Sequence, residues 1–380
     1  MDEYKICIAF ILFGFTLSFG MESFILPRII LISKERQLFD IPNERKQHEA
    51  PVPRLGGLSF LPVLFLTSII TIYIRCQLVD STISPAFYDT LSDFMMLISG
   101  LLVLYIVGIK DDLSGVNYKK KFIMQFIASI FLILSGTYLN NLDGLFGIYE
   151  IPIWIGIPFT MLLCIFITNS INLIDGIDGL ASGISATALI AYGYLFYISK
   201  QWIFSIICFT MLGVLIPFFY YNVFSSKNKI FMGDTGSLML GFLLSFLGIR
   251  LAMDITDSSS APQTRDILIA GSALFVPMFD TVKVMYARIC VHRSLFCPDR
   301  KHIHHRLIDI GFSPRVAMII IVSASIIMIL TNFYALKYIN INIVFFADVI
   351  TTYFVNKFIT YLRYKKKKQI ISLKFPKEDF

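Results

Sequence analysis

Residues 153–198 read IWIGIPFTMLLCIFITNSINLIDGIDGLASGISATALIAYGYLFYI, two apolar runs on either side of a polar stretch. A helix needs about 20 apolar residues to cross a bilayer, and each of the two apolar runs is close to that length. Between them stands NSINLIDGIDGLASG, at 169–183, with two aspartates, two asparagines and several glycines. The runs predict a pair of membrane helices, and the polar stretch between them is a candidate site.

The composition of the whole chain agrees with a membrane protein. Of 380 residues, 56% are hydrophobic and only 16% are charged, against about a quarter charged in soluble domains. The six cysteines are scattered, so no disulfide framework is predicted. The first apolar run follows MDEYK without a small-residue cleavage site, and we expect it to be retained as a span.

Eleven apolar runs are long enough to be candidate membrane helices. This predicts an all-α, multi-pass membrane protein. The runs lie near 5–32, 55–74, 93–109, 122–138, 151–168, 180–198, 202–221, 237–253, 267–285, 316–336 and 341–362.

The distribution of Lys and Arg predicts the orientation, because basic loops stay cytoplasmic. One side of the predicted bundle holds 24 of the 33 basic residues. The N-terminus is therefore expected outside and the C-terminus in the cytoplasm.

We predict one transmembrane domain, 1–362, followed by a basic tail, 363–380. The KKKK run in the tail is interpreted as a lipid-headgroup anchor rather than a nucleic-acid site. The predicted cytoplasmic loops are 33–54, 110–121, 169–179, 222–236 and 286–315.

Asp111 and Asp112 directly follow the third predicted span. Adjacent carboxylates repel each other unless a cation or a basic group compensates. Lys119, Lys120 and Lys121 could do so, or could hold phosphates as point charges. An ordinary acidic turn at a helix N-terminus is the alternative.

The central stretch carries a polar residue at every third position, with two carboxylates three residues apart. Such a pair is expected on one helical face. Oxygen ligands in this pattern suit a hard cation or a nucleoside, although an Asp-Gly pair alone is more often a turn. The residues are Asn169, Asn172, Asp175 and Asp178.

Asp234 lies in FMGDTGSLMLG, 231–241, where flanking glycines allow backbone N–H groups to approach a ligand. Together with the other acidic clusters it predicts a magnesium site. Mg²⁺ typically takes one or two carboxylates and completes its shell with water and substrate phosphates.

Three of the five histidines lie in PDRKHIHHRL, 298–307: His302, His304 and His305. With Arg300 nearby, we interpret this basic loop as a clamp for an anion such as a diphosphate. Zinc with Cys297 is the alternative, although the spacing matches no usual structural zinc site.

Carboxylates, basic groups and an apolar bundle together predict phosphoryl transfer between a nucleotide and a lipid. A lipid-linked sugar transporter would instead be expected to place its ionisable residues near the midplane, whereas the acidic clusters here lie at span ends on one face. Glu22 and Asp280 are the exceptions, in the first and ninth predicted spans, and Asp280 is near enough to the cytoplasmic end to join the site.

Four motifs occur in the order DDLSGVNYKKKFIMQ, NSINLIDGIDGLASG, FMGDTGSLMLGF and PDRKHIHHRL. They resemble the cytoplasmic signatures of the polyprenyl-phosphate N-acetylhexosamine-1-phosphate transferases. PVPRLGGL, 51–58, is similar to the family's N-terminal Gly-Gly loop, and PDR-x-HIHH is similar to the branch that uses UDP-N-acetylglucosamine. The resemblance implies transfer of GlcNAc-1-phosphate from UDP-GlcNAc to undecaprenyl phosphate with Mg²⁺ or Mn²⁺, at the cytoplasmic face of a bacterial inner membrane. UDP-MurNAc-pentapeptide or another UDP-N-acetylhexosamine stays open as donor.

The resemblance also implies roles for individual residues. Asp111 or Asp112 would be the base or orienting group for the lipid phosphate, and Asp234 with Asp175 would bind the metal. Phe231 would stack on uracil. The other substrate-binding residues would be Arg54, Lys121, Asn172, Asp175, Gly176, Asp178, Arg300, His302, His304 and His305. A two-residue insertion before Asp234 leaves the role of Asn222 open, and the sequence also leaves open a homodimer and the pathway that uses the product.

Overall fold

The computed structural model describes residues 3–40, 52–78, 85–253, 266–294 and 301–374. Twelve α-helices make up most of this described part, with two short pairs of strands, a 3₁₀ turn at Gly56–Leu58 and a π-helical turn at Tyr220–Phe224. The helices are α1 (Glu3–Glu35), α2 (Phe60–Leu78), α3 (Pro85–Ser114), α4 (Tyr118–Leu134), α5 (Ile153–Ile174), α6 (Leu180–Ile198), α7 (Trp202–Phe219), α8 (Gly233–Met253), α9 (Asp266–Ile289), α10 (Ile303–Ile310), α11 (Pro314–Ala335) and α12 (Ile341–Lys374). The strands are β1 (Phe39–Asp40), β2 (Val52–Pro53), β3 (Asn141–Leu145) and β4 (Ile148–Glu150).

The bundle is built around α7 and α8. In these two helices 78% and 83% of the residues of the apolar segment are buried, against 28% in α1 and 22% in α12. A helix that is apolar on all sides must be covered by other helices or by lipid. α8 packs against α3, α5, α6 and α9, so its first turn is held from several directions.

Ten helices of the described chain are long and apolar enough to cross a membrane. They coincide with ten of the eleven predicted spans. The remaining predicted span, 122–138, corresponds to α4, whose 17 residues are at the lower end of the about 17–25 that a crossing needs. The all-α, multi-pass architecture is confirmed, while the count of eleven and the direction of the termini stay predictions.

The segment NNLDGLFGIYE, between α4 and α5, forms an antiparallel hairpin. Leu145 pairs with Ile148 across a two-residue turn, in which Phe146 and Gly147 have φ values of 57° and 75°. Two positive φ values are typical of a tight hairpin turn. The side chain of Asn342, at the start of α12, accepts the N–H of Phe146 at 2.6 Å. A phenylalanine in this position gives no turn signal, which is why the sequence did not predict the hairpin.

The last helix, α12, continues without a break for 34 residues. The predicted boundary between the transmembrane domain and a tail from residue 363 therefore lies inside a helix. At about 1.5 Å per residue α12 is about 51 Å long, well over the about 30 Å of the hydrocarbon core. The KKKK run is part of this helix, and Lys366 within it donates a hydrogen bond to the carbonyl of Ile310 at 2.5 Å. Its interpretation as a headgroup anchor alone was therefore incomplete.

Candidate active site

Asp112, in the last turn of α3, holds the first turn of α8. Its Oδ1 accepts the N–H of Asp234 at 2.8 Å, and its Oδ2 accepts the N–H and the hydroxyl of Thr235 at 3.0 and 2.6 Å. Gly233 begins α8 with φ of 72°, and a Cβ there would lie 2.2 Å from the carbonyl oxygen of Arg54, so the close approach needs glycine. Both oxygens of Asp112 therefore accept hydrogen bonds from the first turn of α8 and hold it in place. A negative charge is also favoured at a helix N-terminus.

Lys121 connects two further aspartates. Its Nζ lies 2.8 Å from Oδ2 of Asp111 and forms an ion pair with Oδ2 of Asp234. Asn172, near the end of α5, donates hydrogen bonds of 2.8 Å from its Nδ2 to Oδ1 of Asp234 and to the hydroxyl of Ser237. Four helices, α3, α4, α5 and α8, therefore meet around the carboxylate of Asp234.

The expectation that Asp175 and Asp178 share one helical face was wrong. α5 ends at Ile174, and Asp175 is its C-cap with φ of −72° and ψ of 45°. Asp178 lies in the turn that leads to α6 and forms a 2.5 Å ion pair with Nζ of Lys229. The same Nζ lies 5.5 Å from the centre of the Phe231 ring. Lys229 therefore contacts both Phe231, the ring predicted to stack on uracil, and Asp178, a carboxylate predicted to bind the nucleoside.

Asp175 faces an excess of negative charge. Burial is the main cause that raises its pKa to about 7. Neighbouring charges act too: Arg54 lowers the pKa, and three carboxylates raise it, those of Asp234, Asp178 and Asp112. Among the described residues, the Asp175 carboxylate accepts no hydrogen bond. A carboxylate that is held near other carboxylates without a donor of its own is suited to bind a cation.

The donor set of this cluster fits magnesium. Five aspartates converge here with three basic side chains, Lys121, Lys229 and Arg54. Within the described residues, no three side chains of His, Cys, Asp or Glu form a group that could hold a metal by themselves. Mg²⁺ needs no such cage, because it keeps several waters and binds through one or two carboxylates and substrate phosphates. Asp234 and Asp175 are the carboxylates that would hold it.

Asn222 ties together the loops around this cluster. It is only 5% exposed and lies in the π-helical turn. Its Oδ1 accepts the N–H of Gly179 at 2.6 Å, and its Nδ2 donates to the carbonyl of Ile230 at 2.8 Å. Next along the chain, the N–H of Phe231 donates to the carbonyl of Pro53 at 2.8 Å. Asn222, whose role the sequence left open, thus positions the loops that carry Asp178 and Phe231.

The histidines lie on and before α10, against the same cluster. His302 places its Nδ1 2.8 Å from Oδ2 of Asp280, and the N–H of Ile303 donates to Oδ1 at 3.0 Å. Asp280, whose place near the cytoplasmic end suggested that it could join the site, therefore anchors the start of α10. A Cβ on Gly176 would lie 2.4 Å from Nε2 of His304, so the aspartate loop and the histidine helix are in direct contact.

His304 is held as a neutral imidazole. Burial, with smaller contributions from the neighbouring His305 and His302, lowers its pKa to about 3. Neither ring nitrogen of His304 has a hydrogen-bond partner among the described residues. Unpartnered buried polar atoms are costly and call for a ligand or an ordered water, and this ring faces Gly176. A neutral His304 could donate one hydrogen bond and accept another, but it cannot supply the charge expected of an anion clamp.

Two predicted residues of this region, Arg300 and Cys297, lie outside the described residues, so their part in an anion clamp or a zinc site stays a prediction. The sequence analysis left the role of Asn222 open and missed Thr235 as a positioning residue. Their signal, a polar residue at a helix end, is common in membrane proteins, and only the contacts single them out.

Comparison with known proteins identifies the family of the chain. Residues 94–252, which cover most of α3, all of α4 to α7 and α8 except its last residue, match the family described as Glycosyl transferase family 4. The chain is 30% identical over 305 residues to the undecaprenyl-phosphate alpha-N-acetylglucosaminyl 1-phosphate transferase of Escherichia coli O157:H7, covering 78% of this chain and 76% of the relative. It is 32% identical over 286 residues to the probable undecaprenyl-phosphate N-acetylglucosaminyl 1-phosphate transferase of Bacillus subtilis strain 168, covering 74% and 73%.

The fold and the acidic cluster define a multi-pass membrane transferase, an enzyme that moves phospho-sugar groups. The chain belongs to the polyprenyl-phosphate N-acetylhexosamine-1-phosphate transferases, in the branch of the undecaprenyl-phosphate GlcNAc-1-phosphate transferases.

Proposed function

We propose that this protein transfers GlcNAc-1-phosphate from UDP-GlcNAc to undecaprenyl phosphate, at the cytoplasmic face of a bacterial inner membrane. The products are undecaprenyl-diphosphate-GlcNAc and UMP. The observation that carries the proposal is the convergence of the carboxylates of Asp111, Asp175 and Asp234 with Lys121 at one end of the bundle. The names of the relatives support the choice of substrates.

The reaction needs mainly positioning and charge neutralisation. An oxygen of the lipid phosphate attacks the β-phosphorus of the nucleotide sugar. The bond from that phosphorus to the bridging oxygen breaks, and UMP leaves with the electron pair. Mg²⁺ or Mn²⁺ bound at Asp234 and Asp175 would supply charge neutralisation for the diphosphate.

The surrounding contacts separate the two adjacent aspartates by role. Asp112 uses both oxygens to hold α8, so we assign it a positioning role. Asp111 faces Lys121 at 2.8 Å and is the better candidate to orient the lipid phosphate. Lys121 would then shift between carboxylate and phosphate partners as a point charge.

The donor nucleotide is expected on the other side of Asp234. Phe231 offers an aromatic face beside Lys229, and aromatic faces stack well on bases. Asp178 would accept hydrogen bonds from the ribose, and Gly176, in direct contact with His304, would bring the aspartate loop and the histidine together beside the diphosphate or sugar. The buried and unpartnered nitrogens of His304 suit a neutral sugar hydroxyl or amide.

The test is incubation of purified protein with radiolabelled UDP-GlcNAc, undecaprenyl phosphate and Mg²⁺, followed by lipid extraction and nucleotide analysis. We expect labelled lipid and UMP. Asp234→Asn should lower turnover by about 100-fold or more, since an amide replaces a carboxylate on a hard cation. Asp143→Asn is the matched control, because it changes the same group in the hairpin, where φ is 51° and asparagine is well tolerated.

Release of UDP instead of UMP would show glycosyl transfer and overturn the proposal. Equal losses of turnover in the two variants, at equal amounts of folded protein, would show that the site is not at Asp234. Parallel reactions with UDP-GalNAc and UDP-MurNAc-pentapeptide would distinguish the donors that remain as alternatives.

A further inference from the structure

The cytoplasmic half of α12 forms a polar contact surface for the histidine helix, α10. The family match ends at residue 252, and α12 follows it by almost ninety residues. Asn356 of α12 is only 4% exposed although it lies in an apolar segment. A buried amide inside a membrane helix is costly unless it is hydrogen-bonded, so its partners indicate its role.

Asn356 is the shared acceptor of two cations. Its Oδ1 accepts hydrogen bonds from Arg306 of α10 at 2.5 Å and from Nζ of Lys283 of α9 at 3.1 Å. Arg306 also reaches the main-chain carbonyl of Asn356 and the hydroxyl of Thr360, both at 3.3 Å. A single amide thus connects α9, α10 and α12.

The same guanidinium completes the anchor of the histidines. Arg306 is 3% exposed, and the Nη2 that donates to Asn356 also lies 3.4 Å from Oδ1 of Asp280. Asp280 in turn holds His302 and the N–H of Ile303. Without the acceptor on Asn356, Arg306 and Lys283 would be left with Asp280 as their main counter-charge, and they would pull it away from His302.

Further along α12, two contacts hold the other end of α10. Lys366 donates a hydrogen bond to the carbonyl of Ile310, the last residue of α10. Cations are favoured at a helix C-terminus by the helix dipole. Arg363 forms a 2.6 Å ion pair with Asp309. α12 therefore fixes the C-terminal end of the short α10 and, through Asn356 and Arg306, its middle, while Asp280 of α9 fixes its start. An eight-residue helix is too short to be stable without such support.

We propose that Asn356 is a positioning residue for donor binding, which sets the orientation of the histidine helix through Arg306 and Asp280. The proposal rests on the proposed function, because His304 of that helix would contact the donor diphosphate or sugar. α12 then serves the reaction as a rigid support, with Lys366 as a second fixing point.

The test compares the KM for UDP-GlcNAc and the KM for undecaprenyl phosphate in variants of the full-length protein. Asn356→Leu keeps the volume and removes the acceptor. It should raise the KM for UDP-GlcNAc about tenfold, equivalent to about 1.4 kcal/mol, and leave the KM for undecaprenyl phosphate unchanged. Asn356→Asp restores acceptor oxygens for Arg306 and Lys283 and should be close to the unmodified protein.

Asn332→Leu is the matched control. Asn332 is also a buried interhelical amide, bonded to Ser272 and Asp348 at 2.6 Å each, but it lies at the opposite end of α11 from α10. This variant should lower thermal stability without changing the KM for UDP-GlcNAc. A purely structural role of Asn356 would give the same result as Asn332→Leu and would overturn the proposal.

Hydrogen exchange of peptides that cover α10 separates failure of this inference from failure of the proposed function. Faster exchange in Asn356→Leu with an unchanged KM would show that α12 supports α10 but that α10 does not bind the donor. Unchanged exchange would refute the support itself. If Asn356→Leu does not fold, Lys366→Ala should accelerate exchange in α10, whereas Lys368→Ala, at an exposed position of the same run, should not.

Discussion

Asp112→Asn is expected to lower the free energy of unfolding by about 3 kcal/mol, and Asp111→Asn by about 1 kcal/mol or less. The two residues are adjacent and chemically identical, so the difference depends only on their contacts. The carboxylate of Asp112 accepts three hydrogen bonds from the first turn of α8. The pair therefore tests the division between a positioning aspartate and an aspartate that meets the substrate.

The magnitude for Asp112 follows from its geometry. An asparagine could keep its amide oxygen on the two donors of Thr235 only by turning its NH₂ toward the N–H of Asp234, which now lies 2.8 Å from Oδ1. Losing one hydrogen bond to a charged acceptor costs about 1.5–3 kcal/mol. Losing a negative charge at a helix N-terminus adds about 0.3–1 kcal/mol.

The contacts of Asp111 are easier to replace. Its Oδ1 accepts the N–H of Val116 at 2.5 Å, and an asparagine oxygen can do the same. Its Oδ2 faces Lys121 at 2.8 Å, but Lys121 keeps its ion pair with Asp234 in the variant. The loss of one of two partners of a partly exposed lysine should cost about 1 kcal/mol or less.

The assay is thermal unfolding of the detergent-solubilised variants at one scan rate, followed by intrinsic fluorescence. At about 2 °C per kcal/mol for a protein of this size, Asp112→Asn should lower the Tm by about 6 °C and Asp111→Asn by about 2 °C or less. UMP release per folded molecule should fall at least about tenfold in Asp111→Asn, because it would orient the lipid phosphate. Equal shifts of Tm in the two variants, or an unchanged Tm in Asp112→Asn, would refute the reasoning.

Two further predictions concern the contact between the aspartate loop and the histidine helix. The pKa of His304 is about 3 when folded and about 6.5 when unfolded, so the unfolded state takes up the proton first. Asp175, with a folded pKa of about 7, acts in the opposite sense over this range, and against it His304 should contribute a fall in stability of up to about 1.4 kcal/mol per pH unit below about pH 6.5. His304→Gln should remove this slope in melts between about pH 7.5 and pH 5, and an unchanged slope would contradict the buried, neutral state. Gly176→Ala places a Cβ 2.4 Å from His304 Nε2 and should lower kcat/KM about tenfold or more. Gly271→Ala is the control and should keep normal kcat/KM, because its Cβ would meet nothing within 4 Å. Normal kcat/KM in both variants would show that the contact between Gly176 and His304 does not matter for the reaction.

The sequence alone was sufficient to predict the membrane class and most of the helices. Span length and hydropathy are local properties, because each helix satisfies its own backbone groups within the bilayer. Four polar motifs in a fixed order were enough to identify the family. Local patterns failed where the backbone departs from a regular helix: Asp175 lies beyond the end of α5, and the turn at Phe146 carries no glycine-asparagine signal.

Tertiary structure alone decided which residue does what within each motif. Nothing in the sequence distinguishes Asp111 from Asp112, and only the docking of α8 onto α3 assigns one of them to hold a helix. Asn356 is one polar residue in an apolar run until α9 and α10 bring two cations to its oxygen. Hydrogen bonds between helices depend on how the helices pack, and residue spacing along one chain does not determine that packing.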